Sequence, residues 1–191
     1  MSTIILKNKV YEIVSEVESG VFVVSRKDKK YVLRQLENYK DFYYELQTRK
    51  KLKKFGINIP KIVKKFKINF CLLIEHISDE TMLDVLLKED ISDDAFKELF
   101  NIYRFCRFSK IDLDYHPENF AIKNGRMYYL SLFYGEADEK KNLENYGLYL
   151  WIYSPQLIAH LKEQNLSIDK KRALSVPETN KKIVLISIMH W

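Results

Sequence analysis

Thiols are scarce in this sequence: 191 residues contain two cysteines, Cys71 and Cys106. They sit among Phe, Leu and Arg with no second thiol or histidine at metal-ligand spacing, so neither a disulfide framework nor a zinc site is expected. Buried free thiols are the reading. The four histidines, His76, His116, His160 and His190, are equally dispersed and show no zinc spacing. Five glycines and four prolines leave no material for a flexible linker or a low-complexity tract. No apolar window approaches the roughly 20 residues that a helix needs to span a bilayer. The longest, 70–77 and 183–189, are strand-length. Residues 1–10 carry Lys7 and Lys9 but no long apolar run with a small-residue cleavage site, so no signal peptide is read and a cytoplasmic location is expected. Neither a Gly-x-Ser-x-Gly elbow nor a Gly-x-x-x-x-Gly-Lys phosphate loop occurs.

What the sequence does have is apolar mass and positive charge. Hydrophobic residues make up 47% and aromatics 14%, enough to bury a core and to exclude wholesale disorder. Lys and Arg number 32 against 26 Asp and Glu, a formal +6, which favours anionic partners: nucleotide, nucleic acid or acidic headgroup. The basic runs fall early, at 26–30, 49–54 and 61–67. Acidic runs follow at 79–98 and 136–144.

Patterning changes near residue 78. Before it, β-rich stretches at 9–24 and 30–36 flank the polar segment 25–29, a hairpin signature. Residues 39–55 read as a helix from the spacing of Phe42, Leu46, Leu52 and Phe55, stopped by Gly56. Two strands follow Pro60, at 61–69 and 70–77. After residue 78 the pattern is helical: a short helix at 81–87, and a longer one opened by Ser92 with Phe96, Leu99, Phe100, Tyr103 and Cys106 on one face. Asn124-Gly125 between the apolar runs 119–122 and 127–132 is the strongest short hairpin signal. Residues 143–161 read as a final amphipathic helix, with Tyr146, Leu150 and Tyr153 along a stripe, and 183–189 as a late strand or buried tail. The expected fold class is α+β. Its divisions are a β-rich lobe at 1–77, a helical lobe at 78–169 containing the key segment 112–132, and a tail of unknown role at 170–191.

This layout, a small β-lobe with one helix followed by a helical lobe with one hairpin, resembles the two-lobe fold of protein-kinase-like phosphotransferases. Leu113-Asp-Tyr-His-Pro-Glu-Asn-Phe120 is similar to the catalytic loop of small atypical kinases, with Asp114, His116 and Asn119 in pattern. Leu73-Ile-Glu-His-Ile77 resembles the fifth strand and hinge, where backbone groups around Glu75 and Ile77 would hold an adenine edge. The nearest likeness is to the lipopolysaccharide core heptose kinase family, over roughly residues 10–162. The resemblance implies Asp114 as base, Asn119 as a metal ligand, Glu45 as the small-lobe helix glutamate, and ATP with Mg2+ as cofactors if the site works. Phosphoryl transfer needs such groups because its catalysis is positioning and charge neutralisation.

The sequence departs from that family where charge matters most. The phosphate-binding lysine position holds Arg34, a planar cation that does not replace a point charge. The position for the main magnesium carboxylate, twelve after Asn119, holds Ser131, a poor ligand for a hard cation. Asn145 stands where a loop-bracing Asp is expected, and the glycine-rich turn shrinks to Ser19-Gly20. The implied function is a pseudokinase with weak or no ATP phosphotransfer, binding nucleotide weakly or serving as a scaffold for a protein partner. Two alternatives remain open. One is an active atypical kinase acting on a sugar hydroxyl or small metabolite, with Lys30 or Arg34 serving the phosphates and Asp112, Glu136 or Asp138 approaching the metal. The other is nucleic-acid binding by the basic face at 49–67, with Tyr43, Tyr44, Phe55 and Phe66 as stacking groups.

Overall fold

The computed structural model describes residues Ser2–Trp191. The fold is α+β, and the chain divides into two compact units. The first consists of the described part of Met1–Leu52 together with Ile59–Ile77, and the second of Lys53–Asn58 with Ser78–Trp191.

Six strands form the sheet of the first unit: β1 (Thr3–Leu6), β2 (Lys9–Glu18), β3 (Val21–Arg26), β4 (Lys29–Gln35), β5 (Ile62–Phe66) and β6 (Cys71–Glu75). All neighbours are antiparallel, in the order β1-β2-β3-β4-β6-β5. Local chemistry fixes the turns. Lys7-Asn8 and Lys27-Asp28 both take positive φ at two successive residues, which matches the right-handed strand twist of tight hairpins and which Asn and Asp tolerate. The sequence stretch 9–24 is thus two strands, split at Ser19-Gly20, and β1 precedes them. One face of the sheet buries Leu6, Tyr11, Val24, Leu33, Phe66 and Leu73 in a single cluster. Because that cluster joins residues of β1 and β5, the two edge strands, the sheet must curl. On the other face lies α1 (Tyr39–Lys54), whose Phe42 packs on Leu72 and Ile74.

The second unit begins its ordered elements with α2 (Met82–Lys88), held at its start by a reciprocal cap between Thr81 and Asp84. Ser92 caps α3 (Asp93–Ser109), whose apolar face Phe96, Leu99, Phe100, Tyr103 and Cys106 is buried as its periodicity requires. Then come β7 (Ile111–Leu113), a 3-10 turn at Pro117–Asn119, and the hairpin β8 (Phe120–Lys123) and β9 (Arg126–Tyr129). Asn124 and Gly125, at φ 53° and 72°, form its turn. Strand β10 (Tyr134–Glu136) returns to pair with β7.

Two elements differ from the sequence expectation. Residues 143–161 are not one helix: they form a short 3-10 turn at Gly147–Leu150 and then α4 (Pro155–Glu163). Pro155 lacks the N–H a continuous helix would need, while Ser154 accepts from the Leu157 amide and starts α4 afresh. Residues 183–189 are not a strand. They belong to α5 (Val176–His190), opened by the Ser175–Glu178 capping box, with Ile183 and Ile186 buried. The His190 and Trp191 rings pack on Phe100 of α3. Both cysteines are buried free thiols, and burial pushes Cys106 up to about 12. Among the described residues no helix is long and apolar enough to cross a membrane.

Candidate functional site

In the first unit, β4 presents Arg34 and α1 presents Glu45. Arg34 Nε lies 3.0 Å from Glu45 Oε2, with its Nη1 3.6 Å from Glu18 Oε1. The other oxygen of Glu45 is also taken: Arg49, one helical turn on, donates to Oε1 from Nε at 2.9 Å, with its Nη2 in an ion pair with the same oxygen at 2.9 Å. Arg49 further donates to the Pro60 carbonyl at 3.3 Å. Glu45 is therefore a buried carboxylate clamped between two guanidiniums. Burial pushes the Arg49 pKa down, and Glu45 opposes that shift.

The remaining first-unit candidates are backbone positions. Glu75 is in register with Tyr31 and donates its amide to the Lys61 carbonyl at 2.8 Å, and Ile77 is buried. Gly20 has φ +76°, and a Cβ there would stand 2.8 Å from the Gln35 carbonyl oxygen. The Gly20 carbonyl itself accepts from the Gln35 amide at 2.7 Å. Ser19-Gly20 is thus a closed hairpin turn on its own sheet rather than a loop of amides that could wrap a phosphate.

The second unit builds the Asp114 loop on an aromatic floor. Tyr115 stacks on Phe120, and Phe120 meets both Tyr129 and Trp151. Trp151 Nε1 donates to the Tyr115 carbonyl at 2.7 Å, and Tyr129 Oη accepts from the Asp114 amide at 3.2 Å while donating to the Phe133 carbonyl at 2.7 Å. Asn119 Nδ2 donates to the Asp114 carbonyl at 3.4 Å, closing the loop from its far end. These contacts bring Asp114, His116 and Asn119 onto one short, braced loop.

The Asp114 carboxylate is already engaged. Its Oδ1 accepts from the His116 amide at 3.2 Å and pairs with His116 Nδ1. That hydrogen bond holds Asp114 below the ordinary carboxylate range and raises His116 above the ordinary imidazole range. His116 also meets the His160 ring at 4.7 Å between centroids, and His160 Nε2 lies 3.0 Å from Glu118 Oε1. The Asp114 carboxylate is thus engaged by His116, and its lowered pKa weakens it as a proton acceptor.

Ser131 follows the hairpin directly, and its hydroxyl accepts from the Phe133 amide at 3.2 Å. Of the carboxylates that could substitute as a magnesium ligand, Asp112 and Asp138 are otherwise engaged. Asp112 is buried and accepts from the Asp138 amide at 2.7 Å and Tyr115 Oη at 3.3 Å; Asp138 accepts from the Lys140 amide at 2.9 Å. Glu136 is exposed on β10. Among the described residues no group of three or more His, Cys, Asp or Glu is placed to hold a metal ion. The residues present do not fit a magnesium-triphosphate group: a carbonyl-directed amide (Asn119) and a turn-capping hydroxyl (Ser131) offer it no carboxylate pair. A hollow of ≈ 280 Å³ in this unit is lined by Ser78, Glu80, Met82, Glu89 and Asp90 among others, and none of the candidate residues reaches it.

Several sequence assignments change. Asn145 does not brace the Asp114 loop, since its Nδ2 donates to the Glu139 carbonyl at 2.6 Å; Tyr129 and Trp151 do that work. Phe66 cannot stack on a ligand because it is buried, and Phe55 is half-buried with its ring edge on Tyr134. Arg49 was detectable in sequence, because a cation four residues after Glu45 is a helix pair. The Tyr129 and Trp151 bonds have no local signal, since each spans many residues. No protein-family model matches the chain, and no curated protein matches it.

Proposed function

We propose that the chain is a pseudokinase: a protein of the two-lobe kinase-like fold, nearest to the lipopolysaccharide core heptose kinase family, with weak or no ATP phosphotransfer. Support for the kinase-like half comes from order along the chain. A cation on a central strand paired to a helix glutamate (Arg34, Glu45) is followed by an Asp-x-His-x-x-Asn loop and a hairpin.

The observation that carries the degenerate half is Ser131, whose hydroxyl accepts from the Phe133 amide at the position where the resemblance would put a metal carboxylate. Loss of that carboxylate and of the lysine acts on the same transition-state charge, so the two defects compound. Asp114 and Asn119 then serve to shape the loop. Such a protein acts through binding, of a nucleotide without metal or of a protein partner.

Thermal shift with ATP and ADP, each with and without magnesium or manganese, tests this reading. The expected result is no metal-dependent stabilisation. A metal-dependent shift that Asp114→Ala or Asn119→Ala weakens would refute it and favour an active atypical kinase with a sugar hydroxyl or small metabolite as acceptor.

A further inference from the structure

Helix α1 carries a second feature that the pair at Glu45 does not use. Its inward face holds Phe42, Glu45, Thr48, Arg49 and Leu52, all buried. The opposite face presents Tyr39, Lys40, Tyr43, Tyr44, Lys50 and Lys51, all exposed. At about 100° per residue these six fall within one half of the helix circumference. The tyrosines are 61%, 52% and 71% exposed, and the Tyr39 and Tyr43 rings stack with centroids 6.2 Å apart.

No acid shares this face. Asp41 is half-buried and accepts from Asn38 Nδ2 at 2.8 Å, and Glu45 points inward to its two arginines. Single exposed aromatics are ordinary on protein surfaces. Three of them interleaved with three lysines, without a counter-charge, are a recognisable combination: flat rings for base stacking beside cations for phosphate.

We infer that the outer face of α1 binds single-stranded nucleic acid. From Tyr39 to Lys51 the face runs ~18 Å at the helical rise, enough to follow a few nucleotides. A bilayer suits it less well, because the face has no Leu, Ile, Val or Phe to enter the acyl boundary. An acidic peptide would use the lysines and leave the tyrosines without a role. The inference stands apart from the pseudokinase reading, since none of its residues belongs to the Arg34, Glu45 or Asp114 sets.

Fluorescence anisotropy of the full chain with labelled oligo-U and oligo-dT of about 12 nucleotides, within the site sizes of single-strand binding folds, tests it across a salt series. Either single strand should bind more tightly than a duplex of equal length, and the comparison of the two shows whether RNA or DNA is preferred. Tyr43→Ala with Tyr44→Ala should weaken binding roughly tenfold without changing the salt slope. Tyr43→Phe with Tyr44→Phe, which keeps both rings, should bind as wild type. Lys50→Gln with Lys51→Gln should lower the slope of log affinity against log salt by about one per lysine. All six side chains point away from the core, and a thermal melt of each variant checks its fold. The inference is overturned by duplex binding as tight as single-strand binding, by indifference to the tyrosine-to-alanine change, or by no binding at low salt. Equal affinity for polyglutamate, or binding to phosphatidylserine vesicles that the same tyrosine change abolishes, would also overturn it.

Discussion

Glu45→Ala is the substitution whose cost follows most directly from the structure. Glu45 and Arg49 side chains are 4% and 6% exposed, so removing the carboxylate leaves a buried guanidinium with one remaining partner, the Pro60 carbonyl. Arg34, at 30% side-chain exposure, can regain water and contributes little to the loss. Breaking a buried pair from one side costs about 3–5 kcal/mol, most of it the uncompensated charge. That is a large share of a total stability of about 5–15 kcal/mol. With a urea slope of about 2 kcal/mol/M, the midpoint should fall by ~2 M, read by far-UV circular dichroism. Glu45→Leu combined with Arg49→Met removes both charges and should recover most of the loss, because nothing ionic is then left buried. A cost below about 1 kcal/mol for Glu45→Ala, typical of exposed pairs, would refute the clamp.

Tyr129→Phe removes one acceptor and one donor from the Asp114 loop and should cost about 1–3 kcal/mol by chemical denaturation; a neutral result would mean that the hydroxyl does not brace the loop. The Asp114–His116 pair should be visible in pH dependence. His116 is raised, so its contribution is full below the ordinary histidine pKa and fades as pH rises through its folded value; Asp114 is lowered, so its contribution is full above the ordinary aspartate pKa and fades as pH falls through its own. Asp114→Asn should therefore lower the melting temperature most between about pH 4.5 and 6 and least near pH 9, and it should move the His116 NMR titration midpoint downward; an unmoved midpoint contradicts the pairing. Gly125→Ala meets no neighbour and should cost about 1 kcal/mol from its positive φ alone, whereas Gly20→Ala adds a clash with the Gln35 carbonyl and should cost more, as urea midpoints would show; equal costs would contradict the closed turn.

Legibility in the sequence followed the range of the interactions. The hairpin at Asn124-Gly125 and the helices capped by Thr81 and Ser92 are written in a few adjacent residues, and the structure has them. The turn at Lys7-Asn8 was missed because the strand before it is only Thr3–Leu6. The break before α4 had a signal in Ser154-Pro155 that the apolar stripe of Tyr146, Leu150 and Tyr153 outweighed; Leu150 and Tyr153 are indeed buried, but from a 3-10 turn and the bend after it. The tail read as a late strand or a buried segment because 183–186 are largely β-branched, while the helical start, Ser175 with Glu178, lies eight residues earlier; Ile183 and Ile186 are buried, but from a helix. At the site, the sequence placed Asp114, His116 and Asn119 together because they share one loop. It could not show that His116 occupies the Asp114 carboxylate or that Ser131 caps its own turn, since side-chain direction decides both.

Phosphate release from ATP in the presence of magnesium, measured for the wild type, Asp114→Ala and Ser131→Asp, bears most directly on the pseudokinase reading. The account predicts a wild-type rate at background, unchanged by Asp114→Ala. Magnesium-dependent turnover by the wild type that Asp114→Ala abolishes would contradict it.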